Sequence, residues 1–140
     1  MNLLTLTADN RATLAAWLAE DATVTACLCA AWCDTCNTYQ AKFAELANLH
    51  PDQYFVWIDI EDRADLVGDL DIDNFPTLLI QRGATVCFFG TVLPDTKLAD
   101  RLLQAQLAKS DTELEREMQA SEEKSGWQDD CNLRSRLASL

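Results

Sequence analysis

The sequence of 140 residues predicts an α/β fold: a mixed central β-sheet, helices on both faces, and a helical C-terminal extension. Three observations carry this. Short apolar runs alternate with segments of helical period along the first hundred residues, the pattern of strand–helix–strand units. The fourth apolar run then follows the third across an Arg82-Gly83 turn signal, so a hairpin joins the sheet and its pairing is mixed. Residues 109–140 hold few large apolar side chains, and these fall at helical spacing.

Each element has its own local cause. Asp9 to Glu20 predicts a helix, capped by Asp9 or Asn10, with Leu14, Trp17 and Leu18 at helical spacing. Val24 to Ala30 is a short apolar run with a β-branched start, a buried strand. Thr35 to Leu49 predicts a helix with Tyr39, Phe43, Leu46 and Ala47 on one face, stopped by His50-Pro51-Asp52. Tyr54 to Ile60 is continuously apolar, which suits a strand covered on both faces. Ala64 to Leu70 is a short helix, and Asn74-Phe75-Pro76 breaks the chain before the hairpin strands Thr77 to Gln81 and Thr85 to Phe89. Gly90 ends the second. Pro94-Asp95 opens a helix carrying Leu98, Leu102, Leu103 and Leu107. The order is α-β-α-β-α-β-β-α over a domain of residues 1–108. In the extension, residues 109–140, Ser110 with Glu113 fits a capping box, Ser125-Gly126 marks a break, and Asp129 or Asp130 caps a last helix with Leu133, Leu137 and Leu140. Leu114, Met118, Trp127, Leu133 and Leu137 serve either to pack the extension on the domain or to form a dimer.

Eleven basic against 23 acidic residues give a net charge of −12. Such a chain repels phosphate backbones and anionic membrane surfaces, so neither nucleic acid nor membrane is an expected partner. No stretch approaches 18 apolar residues, and the first 28 residues lack a basic start and an uninterrupted apolar core. The expected compartment is a reducing cytoplasm, where clustered cysteines are more often catalytic or metal-binding than structural. Four of the six cysteines, Cys27, Cys29, Cys33 and Cys36, fall within ten positions.

Trp32-Cys33-Asp34-Thr35-Cys36 follows a predicted strand and opens a predicted helix. Two cysteines with two residues between them on a first helical turn can close a disulfide. The first lies near free backbone N–H groups and the positive end of the helix dipole, which favour a thiolate. With Trp32 before the motif, Phe75-Pro76-Thr77 opening the third strand, the Arg82-Gly83 hairpin and Gly90 before a final helix, the sequence resembles the thioredoxin family over about residues 3–107. The resemblance implies a thioredoxin-like fold and thiol–disulfide exchange. Cys33 would be the exposed nucleophile and Cys36 the buried resolving thiol. Pro76 would be held in cis beside the dithiol, with Phe75, Thr77 and Trp32 contacting substrate. It implies disulfide-containing proteins as substrates, a flavin-dependent thioredoxin reductase using NADPH as electron donor, and no cofactor on this chain.

The sequence departs from the family pattern at residues that tune the redox pair. Asp34 and Thr35 replace the usual Gly-Pro, and a carboxylate beside Cys33 opposes a negative sulfur. Cys27 stands where the family buries an Asp, and Trp57 where it places the partner Lys. Cys29 replaces an aromatic residue. Cys27 and Cys29 share one face of their strand, beneath the dithiol. Either both are small buried hydrophobes, or one pairs with Cys36 or Cys33 on oxidation. Two further readings compete: a non-catalytic binding or chaperone-like module, and a zinc site of Cys27, Cys29, Cys33 and Cys36, which would need distortion to reach one tetrahedron. Asp59, Glu61 and Asp62 read as a solvated strand end, His50 as a capping or surface residue and Cys87 as core. Cys131 is either half-buried or able to bridge two chains.

Overall fold

The computed structural model describes residues 2–140. Among them are five strands: β1 (Leu3–Thr5), β2 (Thr23–Cys29), β3 (Tyr54–Asp59), β4 (Thr77–Arg82) and β5 (Thr85–Thr91). They form one sheet in the order β1-β3-β2-β4-β5. β3 runs parallel to both β1 and β2, whereas β4 is antiparallel to β2 and β5. The helices are α1 (Arg11–Ala19), α2 (Asp34–Leu49), α3 (Ala64–Val67), α4 (Thr96–Leu107), α5 (Asp111–Ala120), α6 (Glu122–Asp130) and α7 (Leu133–Ala138). No helix among the described residues is long and apolar enough to cross a membrane.

The side-chain alternation of β2 divides the interior in two. Val24, Ala26 and Leu28 face a core built with Leu14 and Leu18 of α1 and Leu66 of α3. Cys27 and Cys29 face the opposite core, with Cys36, Tyr39 and Phe43 of α2 and Leu103 of α4. β2 is buried along its whole length, as a continuous apolar run requires.

Several expectations are corrected. β1 has no signal of its own in the sequence; three residues are too few to show periodicity, and its register comes from β3. Gly90 does not end β5 but pairs with Leu78 inside it. Leu98 is 41% exposed rather than on the buried stripe of α4. Gly126 lies within α6, and the break falls at Ser121, whose extended backbone lets its Oγ accept the Lys124 N–H. The last helix is capped by Asn132, not by Asp129 or Asp130. The Ser110–Glu113 capping box is present.

Residues 109–140 wrap one margin of the sheet. Leu114 of α5 completes the α2/α4 core, while Cys131 and Leu133 complete the α1/α3 core. Between them Gln128 of α6 meets β5 edge-on: its Oε1 accepts the Val86 N–H at 2.8 Å and its Nε2 donates to the Val86 carbonyl at 2.9 Å. Buried Gln81 fixes the far end, accepting the Leu133 N–H and donating to Gly83 O and Asn132 Oδ1. Arg82 holds the near end by donating to the carbonyls of Gln106 and Lys109 at the close of α4.

Candidate active site

The site forms where β2 ends and α2 begins. Residues 30–33 cross from strand to helix, and Cys33 is the N-cap of α2. Its N–H donates to Ala30 O at 3.0 Å and its carbonyl accepts the Asn37 N–H at 3.1 Å. Asn37 Nδ2 donates to Ala31 O, pinning the crossing from the helix side. No side chain caps α2, so its first-turn N–H groups remain available to charge developing at Cys33.

Cys36 lies one turn deeper and is 1% exposed. It is joined by a disulfide to Cys29, with Cα atoms 5.8 Å apart, inside the span that a disulfide bridges. Cys33 is a free thiol and partly exposed. Of the two readings open for the strand cysteines, Cys29 therefore shows pairing and Cys27 remains a buried thiol. Cys27 Sγ is 3.7 Å from Cys29 Sγ and carries the hydrogen in that contact, because the Cys29 sulfur is bonded. Burial pushes the Cys27 thiol far above the ordinary cysteine range. The Cys29–Cys36 bond also removes two of the four thiolates that the zinc reading needs. No group of three or more His, Cys, Asp or Glu side chains suited to a metal occurs among the described residues.

Cys27 pairs directly with Trp57 across β2 and β3, the register expected from the sequence. The indole is packed edge-on by Phe43, with ring centroids 5.8 Å apart. Tyr39 buries its hydroxyl on the same face without a hydrogen-bond partner. Burial raises its phenol, with the neighbouring Cys27 second.

The Phe75–Pro76 bond is cis. Thr77 pairs with Leu28, which sets Pro76 at the level of Cys29. Thr77 Oγ1 donates to Asn74 O at 2.7 Å, and Pro76 O accepts the Val92 N–H at 3.0 Å. Phe75 and Cys33 both lie against the cysteine-bearing core. Trp32, 68% exposed, meets Phe75 edge-to-face at 5.7 Å. Trp32, Cys33, Phe75 and Pro76 are thus brought to one end of the sheet. Asp34 and Thr35 are exposed beside them and line a cleft of about 290 Å³ with Thr38, Lys42 and Pro94.

Of the remaining candidates, Asp59 lies beside the site, paired with Cys29 across β2 and β3. Asp59 Oδ1 accepts the N–H groups of Glu61 and Asp62, closing a local turn. His50 contacts Asp100 through Nε2, tying α2 to α4, and this contact holds the Asp100 carboxyl below the usual carboxylate range. Cys87 is buried in the core. Cys131 is buried too, its thiol pushed up to about 12 by that burial. Sequence reasoning missed Tyr39 and Asn37. Tyr39 has a signal, its three-residue spacing from Cys36 on a buried face; Asn37 has none, because its partner belongs to an irregular loop.

The family model for thioredoxin matches residues 5–105. A Streptomyces coelicolor protein named putative thioredoxin 2 is 31% identical over 78 residues, which cover 55% of this chain and 58% of that one. Rice thioredoxin H5 is 34% identical over 53 residues, 38% of this chain and 39% of its own. The chain spans about half the length of the curated relatives it matches. The crystal structure of a poplar thioredoxin h aligns with a TM-score of 0.67 at 20% identity, covering 79% of this chain and 100% of that one, which shows a shared fold. The matched region takes in the strand that ends at Cys29, the Cys33–Cys36 turn and the Phe75-Pro76-Thr77 segment beside it, and on that ground the chain belongs to the thioredoxin family.

Proposed function

We propose that the chain is a thiol–disulfide oxidoreductase that reduces protein disulfides through Cys33 and Cys36. One observation carries the reading: among the described residues Cys33 is the one cysteine that is not buried, and it lies at the uncapped start of α2. Cys27, Cys29, Cys36, Cys87 and Cys131 are all buried. Cys33, as thiolate, attacks a substrate disulfide; one substrate sulfur leaves and the other stays bonded to Cys33. Cys36 then attacks Cys33, the Cys33–Cys36 bond forms, and the second substrate sulfur leaves. Trp32 and Phe75 form the surface on which an extended substrate segment rests, and Pro76 and Thr77, whose side chains are buried, hold the backbone of that edge in place. Asp34, Thr35, Cys27 and Cys29 tune the pair.

Family membership supports a flavin-dependent thioredoxin reductase as the electron donor. The buried free thiols Cys27, Cys87 and Cys131 fit a reducing cytoplasm, and the charge of −12 argues against nucleic-acid and anionic-membrane partners. The extension turns Leu114, Leu133, Trp127 and Leu137 onto its own core, which favours a monomer over a dimer built through it. Insulin disulfide reduction with dithiothreitol as donor tests the activity. Wild type is expected to accelerate it, Cys33→Ser to fall to the uncatalysed rate, and Cys36→Ser to accumulate a covalent adduct with substrate on a non-reducing gel. Wild type no faster than Cys33→Ser would defeat the proposal.

A further inference from the structure

Cys36 has two cysteine neighbours, one along the chain and one across from β2. Cys33 precedes it by three residues around the first turn of α2, where side chains so spaced are neighbours. Cys29 faces it from the end of β2 and is bonded to it. Cys36 can hold only one of these bonds at a time. The Cys33–Cys36 bond of the proposed cycle and the Cys29–Cys36 bond are therefore alternative oxidised forms of one chain. They differ at the surface: with Cys33 bonded, the thiols that remain belong to buried cysteines, and the second form leaves Cys33 free and partly exposed.

We propose that Cys29 is a second redox partner of Cys36, and that the bond made in turnover migrates inward from Cys33–Cys36 to Cys29–Cys36. This rests on the Cys33/Cys36 cycle above. Cys29, as thiolate, attacks Cys36 Sγ; the Cys29–Cys36 bond forms as the Cys33–Cys36 bond breaks, and Cys33 departs as thiolate. The step is an isomerisation that consumes neither oxidant nor reductant, and the proton lost by Cys29 is regained at Cys33. Attack of Cys33 on Cys36 reverses it, with the Cys27 S–H facing the sulfur that then departs. The direction follows from solvation. Cys29 is 1% exposed, so it carries charge at high cost, whereas Cys33 meets water and a helix N-terminus; Cys33 is the better leaving group. Cys27 and Tyr39, whose neutral forms burial also favours, line the same pocket. In the migrated form Cys33 is free to capture a second disulfide while Cys36 is occupied and unable to release it. The oxidised chain then holds what the reduced chain lets go.

The sequence supplies a clean test. Chymotryptic cleavage after Trp32 separates Cys29 from Cys33 and Cys36, and cleavage after Tyr39 leaves Cys33 and Cys36 on one short peptide. The full chain is reduced, oxidised with diamide, pulsed with N-ethylmaleimide while native, quenched in acid, unfolded and digested. About one equivalent of label on Cys33, with Cys29 linked to Cys36 across the Trp32 cut, is the expected result. A bond confined to the peptide of residues 33–39, with Cys29 labelled only after unfolding, overturns the inference. Oxidised Cys29→Ala is expected to lose the native label on Cys33; if it does not fold, the wild-type map still decides. Insulin reduction run in parallel separates the two claims. Turnover that depends on Cys33, with only the Cys33–Cys36 bond found, removes the migration alone. A Cys29–Cys36 bond in a chain without turnover removes both.

Discussion

Asp34 and Thr35 separate the two motif cysteines, and both are exposed on the first turn of α2. Asp34 serves two opposed ends there. A carboxylate near a helix N-terminus favours the helix, yet it stands beside the sulfur that carries negative charge in the proposed attack. Two charges about 5 Å apart in water interact by about 0.8 kcal/mol, and salt screens much of that. Asp34→Asn is therefore expected to speed alkylation of Cys33 by iodoacetamide at neutral pH and low salt by about two- to fourfold. The gain should shrink at high salt, and an unchanged rate in both conditions would show that Asp34 does not act on the thiol. The pairing of Cys29 was legible only as an option. Two-residue spacing places Cys27 and Cys29 on one face, but which of them meets Cys36 depends on how far the crossing at residues 30–33 carries α2 back over β2. That is a tertiary quantity.

At the scale of elements, the long helices and central strands were legible because their apolar periods are strong; in the extension the helical character and the Ser110–Glu113 capping box were legible too, but the later breaks were not, because side chains distant in sequence set them. Gly126 costs an α-helix about 1 kcal/mol relative to Ala, and local propensity alone puts the break there. The structure keeps α6 continuous because Trp127 packs against Phe88 and Gln128 bonds Val86 on the next two positions. The cap of α7 shifts to Asn132 for a similar reason: its Oδ1 accepts from both Ser135 N–H and Gln81 Nε2. Gln81 is fully buried at the centre of this set. Gln81→Leu keeps much of the volume but strands the Leu133 N–H and the Gly83 carbonyl. Each buried polar group left unsatisfied costs about 1–3 kcal/mol. Denaturant unfolding is expected to show a loss of at least about 2 kcal/mol, with faster amide exchange concentrated in residues 131–138. Unaltered exchange there would mean that the side-chain network does not anchor α7.

The whole molecule is two cores on either side of one sheet, joined around the β5 margin by the extension. Arg136 fastens the end of that wrap, donating to the Leu66 carbonyl and to Asp69 Oδ1 at 2.8 and 2.7 Å. The Arg136 hydrogen bond to Asp69 holds its carboxyl below the usual carboxylate range. A carboxylate depressed in the folded state adds stability above its unfolded value, near 3.9, and loses it as pH falls through the folded value. Wild type is therefore expected to melt above Asp69→Asn at pH 7, with the gap closing as the pH drops below about 4. The gap should be small and salt-sensitive, because Asp69 is largely exposed. Thermal unfolding followed by tryptophan fluorescence reads it, and a gap that persists at low pH would rule out the ion pair as its source. The Gln128 contact has a further consequence. A strand margin with open donors and acceptors is a template onto which a foreign strand can zip. Here one side-chain amide occupies the Val86 rung of β5, and the opposite margin, β1, is only three residues long. Growth of the sheet by a neighbour's backbone is blocked on one side and short of rungs on the other. A copy stripped of its last helices would offer a sticky rail along β5.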